Sequence, residues 1–236
     1  MRIAILTDIH ANRQAFSACL DDARQQGAQA IRLLGDYVGY GADPEWAVAT
    51  VMDLVGQGAL AVLGNHDAAV GNAREQMSVP ARMVIEWTRG ELGAEQRQFL
   101  AGLPLTLKDD DRLLVHSEAS NPARWTYVES VEEAARSLQA GQAALTLCGH
   151  IHRPALYCLS ATAKMTAFTP TAGVPVKLLP GRKWLAVLGA VGQPRDGNPQ
   201  AAYVLFDTDK QEITYRRVSY DAAAAAAAIR AKKLPT

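Results

Sequence analysis

Short apolar runs that stop abruptly at turns of Gly, Asp, Asn and His recur between Ile3 and His152, and they constrain the fold more than any other feature. Ile3–Leu6 runs into Asp8-Ile9-His10, Ile31–Leu34 into Gly35-Asp36, and Ala59–Leu63 into Gly64-Asn65-His66-Asp67. Runs this short, without polar alternation, read as strands covered on both faces. Between the first two, Phe16, Cys19, Leu20 and Ala23 keep helical spacing across Arg13–Gln26, with Gly27 as the stop. Asp43-Pro44 supplies an N-cap and a first-turn proline for a helix to Val55. Residues 1–67 therefore read β-α-β-α-β, with a polar loop closing each strand.

Further along, Ser78–Gly102 is helical in pattern, and Asp109-Asp110-Asp111 reads as a solvated turn between strands Leu105–Lys108 and Arg112–Val115. The second of these strands delivers His116. Ser130 and Glu133 form a capping box for a helix to about Ala140. Ala144–Cys148 then delivers Gly149-His150-Ile151-His152. Short strands follow at Ala155–Ser160, Val176–Leu179, Trp184–Leu188, Ala202–Phe206 and Glu212–Val218, and Asp221 caps a final alanine helix. No linker, repeat or composition break interrupts residues 1–236, so we expect a single domain.

Hydrophobic residues make up 49% of the chain and charged residues 20%, enough to build a sizeable core. A formal net charge of +0 gives no broad electrostatic footprint for nucleic acid or an anionic membrane. No apolar run approaches the roughly 18 residues of a membrane span. Met1–Asp8 reads as a first strand and not a signal peptide. Cys19, Cys148 and Cys158 are widely spaced and form no CxxC, which points to a reducing, cytoplasmic location.

All 5 histidines, His10, His66, His116, His150 and His152, stand at the ends of apolar strands. Asp8, Asp36, Asp67 and Asn65 share that placement. Histidines with unrelated structural duties would scatter, so the placement argues for one site. Imidazole with carboxylate suits first-row divalent metals, and the absence of cysteine from these turns argues against a closed structural zinc site. The ligand supply exceeds what one ion needs and suits two, with a carboxylate between them. The chain has no Gly-x-Ser-x-Gly and no P-loop lysine. A metal pair would give it hydrolytic chemistry without a side-chain nucleophile.

The ordered set Asp8-x-His10, Gly35-Asp36, Gly64-Asn65-His66-Asp67, His116 and Gly149-His150-x-His152 resembles the calcineurin-like metallophosphoesterase superfamily. It is most similar to small bacterial and archaeal members of the diadenosine-tetraphosphatase-like group. The likeness extends to Gly39-Tyr40-Gly41 with Asp43-Pro44, to Gly192–Gly197 and to the tail from Tyr220 to Pro235. It implies a four-layer α/β/β/α sandwich of two mixed sheets with metals at one strand-end edge. It implies that Asp8, His10 and His152 hold one ion, that Asn65, His116 and His150 hold the other, and that Asp36 bridges them. His66 would contact the phosphate and protonate the leaving oxygen, with Asp67 orienting its ring. A hydroxide shared by both metals would attack phosphorus in line, on a phosphodiester, a phosphomonoester or a dinucleoside polyphosphate.

The implied cofactors are two divalent ions, manganese first, with iron, zinc, cobalt or nickel as alternatives, and the partner is a small phosphorylated substrate. A non-catalytic scaffold of the same fold would show gaps in the motif, above all at His66, and there are none. Around this core, Asn12 is either a phosphate contact or a helix cap. Arg195 is either a substrate contact or an ion-pair partner of Asp196 or another carboxylate. Tyr40, Trp125 and Tyr127 either stack on a substrate base or pack. Ser78–Gly102 is placed to overhang the site as a cap. The chain departs from the family pattern at Ser117-Glu118 and at Leu188-Gly189-Ala190. Neither departure touches an implied ligand, and both bear on the pocket rim.

Overall fold

The wholly apolar strands are explained by the layers they lie between. The structure, a computed structural model, describes residues 1–73, 75 and 77–235. In one sheet β1 (Arg2–Leu6) lies parallel to β2 (Ala30–Leu33), and β2 parallel to β3 (Leu60–Ala61). The other edge of β1 is covered by antiparallel β11 (Ala201–Asp207), followed by β12 (Glu212–Val218) and β9 (Val176–Lys177). The second sheet runs in the order β4 (Thr106–Asp109), β5 (Arg112–Val115), β6 (Leu145–Cys148), β10 (Lys183–Val187), β7 (Ala155–Leu159), β8 (Met165–Phe168).

Side chains alternate along β1 between two apolar layers. Ile3 and Ile5 point between the sheets, where they meet Leu145, Leu147, Leu156, Ala186 and Phe206. Ala4 and Leu6 point outward onto α1 (Arg13–Gln25) and α2 (Pro44–Gly56), through Phe16, Cys19, Val48 and Val51. Beyond the second sheet, α6 (Val131–Gly141) places Ala134 and Leu138 against Val115, Cys148, Leu185 and Val187. The order is helix, sheet, sheet, helix, so the expected four-layer sandwich of two mixed sheets is present.

The anticipated elements differ from the structure in particular places. The third strand is only Leu60–Ala61, and Asn65–Gly71 forms a short helix, α3, where the sequence reads as a loop. Gly and Asn disfavour helix by propensity. Here Asp67 at the third helical position accepts the Gly64 amide at 3.1 Å, and tertiary contacts supply the rest. Ser78–Gly102 divides into α4 (Val79–Glu91) and α5 (Ala94–Ala101) at Leu92-Gly93. Asp43 occupies the N-cap of α2 but makes no side-chain cap bond. Strand β8 was not anticipated; it is a short edge strand whose residues are mostly exposed, so it carries no apolar period. The final helix, α7 (Ala222–Ala231), is capped by Asp221, whose Oδ1 accepts the Ala224 amide at 2.8 Å.

Asp109 is not the solvated residue its acidic run suggests, although Asp110 and Asp111 are 82% and 61% exposed at the side chain. It joins the two sheets: Arg32 on β2 donates to its two oxygens at 2.8 and 2.9 Å, and Arg112 donates at 3.2 Å. Burial pushes the Asp109 pKa up, but the hydrogen bonds from Arg32 and Arg112 outweigh it and hold the carboxyl below its ordinary range. Asp109→Asn is expected to lower unfolding free energy by about 2–3 kcal/mol, read by denaturant melts near neutral pH. The folded protein binds this proton more weakly than the unfolded chain does. The stabilisation is therefore complete above the unfolded pKa of about 3.9 and is lost as the pH falls through the lowered value.

Candidate metal centre

The polar loops converge where the parallel strands of both sheets end, the edge at which α/β sheets gather ligands. Asp8 and His10 follow β1, Asp36 follows β2, His116 follows β5, and His150 and His152 follow β6. Asn65 and His66 lie in the first turn of α3. The backbone there is unusual. Asp8, His10, Asp36, His150 and His152 all have positive φ, between 49° and 73°. Non-glycine residues in this left-handed region are uncommon and cluster at functional sites, where surrounding structure holds them in place. Gly149 lets these turns approach: a Cβ there would lie 2.2 Å from Thr7 Oγ1 and 2.6 Å from Asp8 Oδ2.

Among the described residues, three triads lie close enough to hold an ion; one of them, His10, Asp36 and His66, shares its first two members with the other two groups. Asp8, His10 and His152 make one, with His10 Nε2 3.0 Å from His152 Nε2 and Asp8 Oδ1 3.3 Å from the latter. Asp36, His116 and His150 make the other, with His116 Nε2 3.1 Å from His150 Nδ1 and 3.2 Å from Asn65 Oδ1. Asp36 stands between them. Its Oδ1 accepts the His66 amide at 2.8 Å, so Oδ2 alone faces both groups, 3.3 Å from His116 Nε2 and 3.8 Å from His10 Nε2.

The outer nitrogen of each of these four imidazoles meets a backbone carbonyl. His10 Nδ1 lies 3.0 Å from Val38 O, His116 Nδ1 2.7 Å from Leu34 O, His150 Nε2 2.8 Å from Trp125 O, and His152 Nδ1 2.6 Å from Gln193 O. A carbonyl only accepts, so each outer nitrogen carries a proton, and the inner nitrogen of each ring is the one left to face the cluster. This is the usual arrangement behind metal-ligating histidine. Asp8 Oδ1 is buried with no hydrogen-bond partner. Inner imidazole nitrogens gathered around a partnerless carboxylate oxygen form a cation's environment, and the residues fit divalent ions.

The charge balance agrees. Burial pushes the Asp36 carboxyl up, but His116 and His66 outweigh it and hold its pKa well below the ordinary range. Burial likewise raises Asp8, and His152 brings it down below its ordinary value. Burial lowers His116, but the charge of Asp36 reverses this and holds its pKa up, to about 9. Burial and then the charge of His116 push His150 down to about 4. The carboxylates thus demand positive charge at the middle of the cluster.

His66 lies beside this cluster, 5% exposed, with Nε2 4.0 Å from Asp36 Oδ2. The sequence expectation that Asp67 orients its ring does not match the geometry. Both Asp67 oxygens are taken by amides, those of Asp36 at 2.8 Å, Tyr37 at 2.9 Å, Gly64 at 3.1 Å and Val38 at 3.3 Å. His66 Nδ1 has no hydrogen-bond partner. Packing fixes the ring instead. The rings of His10 and Tyr40 lie 4.9 and 4.8 Å from it, and a Cβ on Gly39, whose φ is +90°, would come within 2.2 Å of Nδ1. Asp67 is a clamp on the loop that carries Asp36. Asp67→Asn would turn an amide NH₂ toward backbone N–H groups, and we expect about 1–3 kcal/mol lower stability together with weakened metal uptake. Thermal denaturation and the metal content of dialysed protein check this.

Above the cluster lies a cavity of about 760 Å³ whose lining includes Asp36, Asn65, His66, His150 and His152. Arg195 reaches it, with Nη2 donating to Gln193 Oε1 at 2.7 Å and to the Tyr40 hydroxyl at 3.3 Å. Asp196, the alternative partner weighed for Arg195, is bound by Arg217. Asn12 does not line this cavity. Its Oδ1 accepts the Ala15 amide at 3.1 Å and its Nδ2 donates to Gly192 O at 2.9 Å, so its amide is spent on capping α1 and holding the Gly192 turn. Of Ser78–Gly102, only Ser78 and Ala81 reach the cavity, beside Glu75 and Met77; the rest of α4 and α5 packs on neighbouring helices. Arg124 also lines the cavity and was missed, because nothing in its sequence context distinguishes it from a surface arginine.

Two mixed sheets carrying Asp/His clusters of this kind at their strand ends define a metallophosphoesterase. Residues 1–211 match the calcineurin-like phosphoesterase superfamily domain, and the chain belongs to that family. It is 32% identical to an uncharacterised protein of Methanocaldococcus jannaschii, over 99% of this chain and 93% of the relative. The crystal structure of a metallophosphoesterase from Sphaerobacter thermophilus is 36% identical with a TM-score of 0.86, covering 100% of this chain and 95% of that one. A hypothetical protein from Pyrococcus horikoshii OT3 shares the fold at 18% identity and TM-score 0.79, covering 99% and 94% of the two chains. No helix among the described residues is long and apolar enough to cross a membrane.

Proposed function

We propose that this protein is a two-metal phosphoester hydrolase acting on a small phosphodiester, phosphomonoester or dinucleoside polyphosphate. The observation that carries the reading is the pair of ligand groups, Asp8/His10/His152 and Asp36/His116/His150, which meet around Asp36 Oδ2 and reach the cavity through Asp36, His150 and His152. Asn65 joins the second group through its proximity to His116. Two divalent ions in these groups would lower the pKa of a water and neutralise charge on a phosphoryl oxygen, which suits hydrolysis without a side-chain nucleophile. Manganese is the first choice for both sites, since imidazole with carboxylate suits such borderline ions.

The chain's own residues supply the remaining parts. His66, buried beside the cluster and lining the cavity, is the group to hand a proton to the departing oxygen. Arg195 offers guanidinium N–H groups to the phosphate from the rim, held in position by Gln193 and Tyr40. The left-handed turns fix the ligands before substrate arrives, as preorganised electrostatic catalysis requires. The buried free cysteines fit a reducing cytoplasm.

The test is hydrolysis of bis-p-nitrophenyl phosphate and p-nitrophenyl phosphate by manganese-loaded protein, with metal counted on the same sample. Turnover of at least one ester with two ions bound per chain is expected. Two bound ions with no hydrolysis of either ester, nor of a dinucleoside polyphosphate, would replace this reading with a metal-binding scaffold.

A further inference from the structure

The cavity wall formed by residues 117–127 is built for something other than metal binding. Its foundation is Glu118. Glu118 is buried; its Oε1 accepts the Ser120 amide at 2.9 Å and its own amide donates to Thr126 O at 3.0 Å. The segment then turns through a short 3₁₀ helix, Pro122–Arg124, into Trp125 at φ 53°. A bulky aromatic residue in the left-handed region is strained by about 1–3 kcal/mol and persists only where its surroundings impose it.

That strained turn does two things. It aims the Trp125 carbonyl at His150 Nε2, and it brings Arg124, Trp125 and Tyr127 to the cavity. Neither ring belongs to an apolar core cluster. Tyr127 lies over His150 with centroids 4.3 Å apart and planes 26° apart, and it remains 43% exposed. The phenol is therefore stacked on one side and partly open to the cavity it lines. The Trp125 indole N–H is held by Glu75 Oε2 at 3.3 Å, which links this wall to the one opposite, where Met77 lies. Arg124 and Arg195 both line the cavity, and among the described residues neither pairs with a carboxylate.

We infer that the Trp125–Tyr127 wall is a stacking subsite for a planar ring carried on the phosphate ester, a nucleobase in the first instance, with Arg124 and Arg195 facing its phosphates. Partly exposed aromatic rings beside guanidinium groups that no carboxylate neutralises accept rings with little regard to their hydrogen-bonding edges. This deepens the proposed function and rests on it for the position of the phosphate. The wall is a specificity device: it selects the esterified group and leaves the bond-breaking step to the floor.

Calorimetric binding of AMP, phenyl phosphate and ribose 5-phosphate to manganese-loaded protein tests this separately from hydrolysis. AMP is expected to bind about tenfold or more tightly than ribose 5-phosphate, the scale of one stacked base. Tyr127→Ala should reduce that ratio to near one, whereas Tyr127→Phe should keep it, because stacking needs the ring and not the hydroxyl. A similar gain for phenyl phosphate would identify ring stacking alone, and a gain confined to AMP would identify the base. Equal binding of all three, or a ratio unchanged in Tyr127→Ala with its melting temperature intact, overturns the subsite. Ring preference without hydrolysis would defeat the proposed function and leave the subsite standing; hydrolysis without ring preference would do the reverse.

Discussion

Replacing Asp36 with Asn is expected to empty the centre and abolish hydrolysis while leaving the fold in place. Asn keeps an oxygen for the His66 amide, the bond Asp36 Oδ1 accepts at 2.8 Å. What it loses is the anionic Oδ2 that faces both ligand groups, and a neutral NH₂ pointed at His10 and His116 would oppose a cation there. Removing an outer partner of a metal ligand typically costs 10–100-fold in affinity, and removal of the shared ligand itself should exceed that. Elemental analysis after dialysis, with circular dichroism as the control for folding, gives the answer. Retention of both ions by a folded Asp36→Asn protein would remove Asp36 from its place between the sites.

His66→Ala should act in the opposite way, keeping the metals and losing the rate. His66 completes a triad with His10 and Asp36 but stands outside the two groups assigned to the ions, and its ring is held by packing against His10, Tyr40 and Gly39. A positioned proton donor is worth about 10²–10⁴-fold, so kcat should fall by that factor with metal content unchanged. Burial holds the His66 imidazole below its ordinary pKa, with the Asp36 charge pulling the other way. The loss should also depend on the leaving group. An alkyl ester, whose alkoxide needs the proton, should lose more than a nitrophenyl ester, whose phenolate departs without it. Equal losses for both esters would point to a role in binding phosphate and not in protonating the leaving oxygen.

Much of this was legible in the sequence because the signals were local. An apolar run ending in Asp-x-His, Gly-Asp or Gly-His-x-His states both a strand buried on two faces and a ligand at its end. What stayed hidden depended on contacts distant along the chain. The carbonyls of Leu34, Val38, Trp125 and Gln193 that set the histidine rings have no side-chain identity, so no pattern could mark them. Asp67 stands next to His66 in sequence, which suggested that it served that ring. Its real partners, the amides of Asp36, Tyr37 and Val38, lie on another loop. Asp109 sat within an acidic run that looked wholly solvated; the pairing of β4 with β5 brings it to Arg112, and the packing of one sheet on the other brings it to Arg32. Helix α3 begins on Gly-Asn, which local propensity assigns to a turn.

The placement of β11 has a consequence for how the molecule matures. β1, the strand that leads to Asp8 and His10, is paired on one side by β2 and on the other by β11, whose residues are made late in synthesis. His152 is likewise held by Gln193, again far down the chain. A chain folded only as far as its first three strands has an open edge along β1, although the Asp8 and His10 turns already rest on the carbonyls of Gly35 and Asp36. The first ligand group, Asp8, His10 and His152, is therefore complete only once segments 142 or more residues apart along the chain have folded together. Until β11 is in place, the open edge of β1 is an unpaired row of backbone N–H and C=O groups of the kind that templates pairing with another chain.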